Sequence, residues 1–476
     1  MTISLADVLA EWAVSLTGDA VPAAVIGKAK RSLVDAIGVA VAGAEHPTTR
    51  MIREAAVEEY AAGPCRVLGS GGIKLSAPGA ALVNGVAAHV HDFDDTCYDG
   101  IVHGSAAVWP AAAAAAEAAG ASGRDFLFAF IAGVEVEYAL GRLLTDHLYW
   151  KGWWNSGLLG ALGAAAAAAR ALSLEPAAAR NALRIAACQA TGPRVLLGTP
   201  VKPYALGCAA AAGVRAALMS RRGLTGPEKA FEHDQGFIKL FNDGLCRPEV
   251  LEDLGRRFSL ESPGVAFKLY PVCSAAQAAV EATASILAEE KMPAGQVEKV
   301  LCRVTPLVAV CLEYDHPGTV TEAQFSLPFA VGCLLAYGQL GVAELSEAVL
   351  RDPDLLAHMA KVEMEASETL VASESARKDY PEAALVTIFT RDGRKFEKFN
   401  GAATGMPVNP MSDRRLEEKF LACAGLNLDQ ARARGLLDRI REVETLESAS
   451  GLFPAWKEQN QAPALEHAGR RGGERP

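Results

Sequence analysis

Residues 76–120 read SAPGAALVNGVAAHVHDFDDTCYDGIVHGSAAVWPAAAAAAEAAG, and the rest of the chain is read outward from them. Small helix formers from Ala80 to Val90 lead into His89, His91, Asp92, Asp94, Asp95 and Thr96. A Tyr98-Asp99-Gly100 break follows, then His103, Gly104, Ser105 and an alanine-rich helix. Imidazoles and carboxylates between apolar helices are costly unless they meet solvent, a ligand or one another. The stretch therefore predicts the centre of a catalytic site. On a continuous helix His89, Asp92 and Thr96 fall at i, i+3 and i+7, on one face, with His91 and Asp95 on a neighbouring one. The plainer alternative is an acidic helix end whose carboxylates, Asp94 and Asp99 first, cap local backbone groups.

His103 stands just before a helix start, where backbone N–H groups and the positive helix end favour an anion and disfavour imidazolium. A neutral imidazole beside a bound carboxylate is a candidate general base. Lys202 and Lys268 sit in apolar surroundings, GTPVKPY and VAFKLYPVCSAAQ, each followed closely by a tyrosine, Tyr204 and Tyr270. Lysines there either snorkel to the surface or bind a substrate carboxylate. Cys273 opens the helix after Pro271; in a first turn its thiol would be acidified, and otherwise it is a small core hydrophobe.

The 476 residues exceed one ordinary core and predict two or three domains. Half are hydrophobic, so a large core is available. Lys and Arg number 46 against 56 Asp and Glu, a formal charge of −10, which counts against a nucleic-acid partner. The ten cysteines lack zinc-ligand spacing and read as core residues of a reducing compartment. MTISLADVLAEWAVSL reads as an amphipathic helix rather than a signal peptide, and no uncharged apolar run suggests a membrane span. A cytoplasmic protein with no membrane partner is expected.

Residues 3–43 read as two helices broken at Gly18-Asp19. The glycine-rich GSGGIKLS lacks P-loop spacing and reads as a turn. VEKVLCRVTPLVAVCL and AALVTIFTRDGRKFEKF read as strands, the second with a hairpin signal at Arg391-Asp392-Gly393. The expected fold class is mainly α: a large all-helical domain from residues 1–262 and 400–458, a smaller inserted α+β domain at 263–399, and a disordered tail at 459–476.

HDFDDTCYDGIVHGSAAVWPAAAAAAE resembles the signature of the MmgE/PrpD family. The likeness continues through GWWNSGLLGALGAAAAAARALSL, KPYALGCAAAAGVRAALMSRRGLTGPEKAFE, KLYPVCSAAQAAVEA, AQFSLPFAVGCLL and GMPVNPMSDRRLEEKF, nearly the whole chain. It implies an interdomain cleft, a homodimer, no metal and no other cofactor. It also implies active-site positions at Asp92, Thr96, His103, Lys202 and Lys268 around a small-molecule carboxylate substrate. Three positions depart from the family pattern. Trp154, in GWWNSG, and Gln277 stand where members carry histidine, and Phe329 where many carry tyrosine. Losing those groups counts against methylcitrate dehydration and cis-aconitate decarboxylation and predicts a less charged substrate, with Asn155 and Cys273 recruited.

The expected function is a cofactor-independent lyase, a dehydratase or decarboxylase. Lys202 and Lys268 hold the carboxylate, His103 oriented by Asp92 moves the proton, and Thr96, Asn155, Tyr270 and Trp154 contact the substrate. An epimerase using Cys273 as second acid/base is the alternative on the same site. A His-Asp metal phosphohydrolase, which HVHDFDD superficially resembles, and a non-catalytic binding member are the remaining readings.

Overall fold

A computed structural model describes residues 4–371 and 379–453. Helices dominate. Leu5–Ser15 and Ala23–Gly43 are separated by a 3-10 turn at Gly18–Ala20, as the glycine break predicts. The buried centre holds Ala77–His89, Gly104–Ala119, Gly123–Leu144, Asn155–Ala171 and Val201–Arg221, packed on one another. Alanine and glycine let these backbones approach closely. A Cβ on Gly85 would lie 2.9 Å from the Gly207 Cα, and one on Gly207 would lie 2.4 Å from the Leu82 carbonyl oxygen. That crossing sets the start of the Val201–Arg221 helix beside the end of Ala77–His89. Among the described residues no helix is long and apolar enough to cross a membrane.

The fold class needs correction. The helical part is not all-helical: β1 (Ala62–Arg66) and β2 (Lys74–Leu75) pair antiparallel across the glycine-rich turn. These strands are too short to show alternation, so periodicity could not reveal them. A second sheet has the order β4-β3-β5-β6 from β3 (Val297–Val304), β4 (Val362–Ala366), β5 (Ala384–Thr390) and β6 (Lys395–Asn400). β3 and β4 run parallel, and the other pairs run antiparallel. The chain is thus a mixed α and β protein in which helices predominate. A smaller unit of strands and helices is present, as expected.

The Arg391-Asp392-Gly393 turn joins β5 to β6, with Gly393 at φ +85°. β3 ends sooner than its apolar run suggests, because Thr305 caps a short helix, Pro306–Cys311, with proline in its first turn. The Gln277–Glu289 helix covers β5 and β6. The helices Asp413–Ala424 and Gln430–Arg441 return to Ala23–Gly43. Lys419 fixes that return: its Nζ lies 2.6 Å from Asp35 Oδ1 and donates to the Phe93 carbonyl at 2.8 Å. The expected tail at 459–476 lies outside the described residues.

Candidate active site

The helix carrying the His/Asp stretch stops at His89, and the chain turns sharply at Asp92, whose φ is +48°. Aspartate tolerates this left-handed conformation better than most side chains. The turn, not a helical face, aims the acids. Thr96 then bridges Ala266 through paired backbone bonds of 3.0 and 2.8 Å, which delivers Lys268 beside Asp92. Lys202, in the first turn of Val201–Arg221, arrives from the other side.

The result is one buried network. Lys202 Nζ lies 2.6 Å from both Asp92 Oδ1 and His89 Nε2. Lys268 Nζ donates to the Asp92 carbonyl oxygen at 2.5 Å and lies 3.1 Å from its Oδ2. Asp94 Oδ1 meets His89 Nδ1 at 2.8 Å, and its Oδ2 lies 3.2 Å from His103 Nδ1. His103 Nδ1 also lies 3.0 Å from the Asp95 carbonyl oxygen. Both partners of that nitrogen are acceptors, so the proton belongs on Nδ1 and Nε2 keeps its lone pair. Nε2 lies 4.0 Å from Asp92 Oδ1. His103 is therefore oriented by Asp94 and the Asp95 backbone; Asp92, expected in that role, instead organises the lysines.

Protonation follows from burial and partners. Burial lowers His103, and Asp94 offsets only part of that. Burial also takes His89 down to about 4. It would raise Asp92, but Lys202 and Lys268 outweigh it and hold the carboxyl low. In the same way His89 and His103 hold Asp94 well below the usual carboxylate range. Lys268 is raised, since Asp92 and Asp94 overcome its desolvation. Two neutral imidazoles thus sit among two ammonium and two carboxylate groups.

Beside this network lies a narrow cavity, partly open to solvent. Asp92, Thr96, His103, Lys202, Cys273 and Trp154 line it. The Thr96 hydroxyl is buried without a hydrogen-bond partner. Trp154 stacks on His89 at 5.4 Å and, with Phe325, carries the Lys202 ammonium over its ring at 5.2 Å. Of the two readings of Cys273, the acidified thiol does not hold, and the residue is buried. A hydrogen bond with Cys311, together with burial, pushes its thiol well above the usual value instead of acidifying it. It therefore stays protonated, able to donate.

Lys268, Asn155 and Tyr270 do not line the cavity. Lys268 acts through Asp92. The Asn155 amide donates to the Gly100 carbonyl at 2.5 Å and so braces the loop before His103. Tyr270 is part of a knot made by Gln277. The Gln277 Oε1 accepts from the Leu269 and Tyr270 N–H groups at 2.9 and 3.0 Å, and its Nε2 donates to the Tyr270 and Val272 carbonyls at 2.9 and 3.2 Å. Gln277 thus shapes the loop from Lys268 to Cys273. Phe329 is core. Tyr149, Ser274, Cys311, Phe325 and Glu382 line the cavity without having been singled out. They come from separate segments with no local pattern.

His89, Asp92, Asp94 and His103 place potential ligand atoms within 4.8 Å of one another, a donor set of the kind divalent metals use. The same atoms already serve each other and two ammonium groups. A dication would have to enter against Lys202 and Lys268, so the donor set fits a metal poorly.

The family model of the MmgE/PrpD N-terminal domain matches residues 7–246, and that of the C-terminal domain matches residues 270–444. The chain is similar to the cis-aconitate decarboxylase of Homo sapiens, 29% identical over 442 residues, covering 90% of this chain and 89% of the relative. It is 28% identical over 443 residues to that of Mus musculus, with 90% and 88% covered. The Aspergillus terreus enzyme of the same name is 26% identical over 469 residues, with 94% of each chain covered.

Proposed function

From the premise that the chain belongs to the MmgE/PrpD family, we propose that it is a lyase working by proton transfer next to a substrate carboxylate. Decarboxylation, the activity named for its relatives, is the first reaction to consider. Lys202 donates to His89 and Asp92, and an ammonium has three N–H donors, so one is left for a ligand. That donor takes a substrate carboxylate and stabilises negative charge developing on the adjacent carbon. Thr96 supplies a further hydrogen bond. In a decarboxylation the C–C bond breaks, CO₂ leaves, and the carbon keeping the electron pair takes a proton. Cys273, as a neutral thiol, is the wall group able to supply it, and its thiolate then regains a proton from solvent by way of His103. Dehydration uses the same base and expels a hydroxyl. Epimerisation is the second reading, favoured by a protonated Cys273 sharing the cavity with a neutral His103.

The observation that carries the proposal is the His103 imidazole, held neutral with Nδ1 on acceptors, beside a lysine whose counter-charge is already in place. The test incubates the protein with cis-aconitate and a panel of hydroxy-, imino- and unsaturated carboxylates in deuterium oxide, followed by proton NMR. Loss of CO₂ with deuterium at the product carbon supports decarboxylation, a new alkene supports dehydration, and exchange without net conversion supports epimerisation. No exchange and no conversion across the panel would count against a lyase.

A further inference from the structure

We propose that the cavity is built for a small carboxylate whose other end carries a hydrogen-bond donor, a hydroxyl or an ammonium, read by Glu382. Glu382 lies two residues before β5 and lines the same cavity as Lys202 and His103. It is buried, and its Oε1 accepts from the Ser274 hydroxyl at 2.8 Å. The Tyr98 hydroxyl also faces it. The Ser274 hydroxyl therefore holds this carboxyl in place, although neither the proton transfer nor the carboxylate anchor uses it.

The charge count of the wall points the same way. Among the described residues lining the cavity, Lys202 is the one cation, and no arginine is present. Lys268 stands behind Asp92, and Asp92 already engages both ammonium groups. A substrate with one carboxylate therefore has one anchor. A second carboxylate would meet Glu382, where two carboxyl groups cannot both ionise at short range without a large cost. A hydroxyl or ammonium there needs no such compromise. Glu382 has lone pairs to offer beyond the one Ser274 uses, and it keeps an acceptor oxygen even when protonated. This also gives a physical basis for the less charged substrate that the replaced histidines suggest.

The inference rests on Lys202 as the carboxylate anchor, so the experiment separates the two. Isothermal titration at neutral pH compares three probes of equal chain length: succinate, 4-hydroxybutyrate and 4-aminobutyrate. The wild type should bind one of the donor-bearing probes at least about tenfold tighter than succinate, since facing like charges penalise the wrong partner. Glu382→Gln keeps the shape and the acceptor for Ser274, and should bring succinate level with or ahead of 4-aminobutyrate. Ser274→Ala, which frees Glu382 to move, should shift the order in the same direction by less. Lys202→Met should weaken all three probes alike, and if it does not, the anchor reading falls. Succinate binding tightest to the wild type, no probe binding, or an order that neither Glu382→Gln nor Ser274→Ala changes, would overturn the Glu382 proposal.

Discussion

Replacing Asp94 with asparagine perturbs the site at its pivot. The Asp94 carboxylate accepts from His89 Nδ1 at 2.8 Å and stands 3.2 Å from His103 Nδ1. Asparagine has the same shape but no charge, and one of its two ends is a donor. It can satisfy one Nδ1–H with its oxygen, but its NH₂ then confronts the other ring and favours the tautomer with the proton on Nε2. For His103 that tautomer is useless as a base. The charge effect has a definite sign. Burial lowers His103, and Asp94 pulls it part of the way back. Removing an opposite charge at this range lowers a pKa by about 1–3 units. A base acts when unprotonated, so activity is lost as pH falls through the His103 pKa. In D94N that acid limb should move to lower pH by the same amount, while the plateau of kcat falls about 10²–10⁴-fold, the range of general-base contributions. The assay is the pH profile of kcat/KM on whichever carboxylate the protein turns over. Wild-type and variant circular dichroism would show that both are folded. A plateau within about threefold of wild type, or a limb that moves to higher pH, would refute the reasoning.

Three further substitutions probe the supports of the site. Burial, then the neighbouring Asp35, lifts the Asp95 carboxyl from 3.8 to about 8, so the folded chain keeps a proton that the unfolded chain releases. Stability is therefore lost as pH rises across that window, and D95N, spared the loss, should gain on wild type by up to about 3 kcal/mol between pH ~5 and ~7 in urea unfolding. A gap that shrinks with rising pH would contradict this. Q277A removes four hydrogen bonds to the Leu269–Val272 backbone and should cost about 2–4 kcal/mol, with KM rising more than kcat falls as the loop from Lys268 to Cys273 loosens; an unchanged melting temperature would show that the knot carries no load. G43A places a methyl 2.1 Å from the Ala87 carbonyl oxygen, two residues before His89, and should destabilise by about 1–3 kcal/mol. Wild-type stability in G43A would mean that the two helices have room to part.

Sequence alone carried the chemistry further than the geometry. The His/Asp stretch and the two isolated lysines stand out because charge in apolar surroundings is costly, and the structure brings Asp92, His103, Lys202 and Lys268 into one network. The helical-face argument that linked His89, Asp92 and Thr96 fails in detail, because the helix ends at His89 and a left-handed Asp92 redirects the chain. Asp94 could not be told from an ordinary cap, since its role depends on two rings that only the folded loop places on either side of it. Tyr149, Cys311 and Glu382 carry no signal of their own. Each comes from a segment whose local pattern describes packing, and only tertiary contact makes it a cavity wall. Asn155 and Tyr270 mislead for the opposite reason: they are polar and close in sequence to site residues, yet Asn155 is engaged by the Gly100 carbonyl and Tyr270 lies off the cavity wall. The helical part hid two short strands because β1 contains Gly63 and Pro64, and β2 has only two residues.

Everything proposed for the chemistry depends on the state of one ring. Nitrogen NMR of the histidine-labelled protein, with the His103 signals assigned by their loss in H103Q, reads that state directly. The account predicts a neutral imidazole at neutral pH, protonated on Nδ1 and bare on Nε2, titrating below the ordinary histidine value. An imidazolium at neutral pH, or a neutral ring with its proton on Nε2, would contradict it.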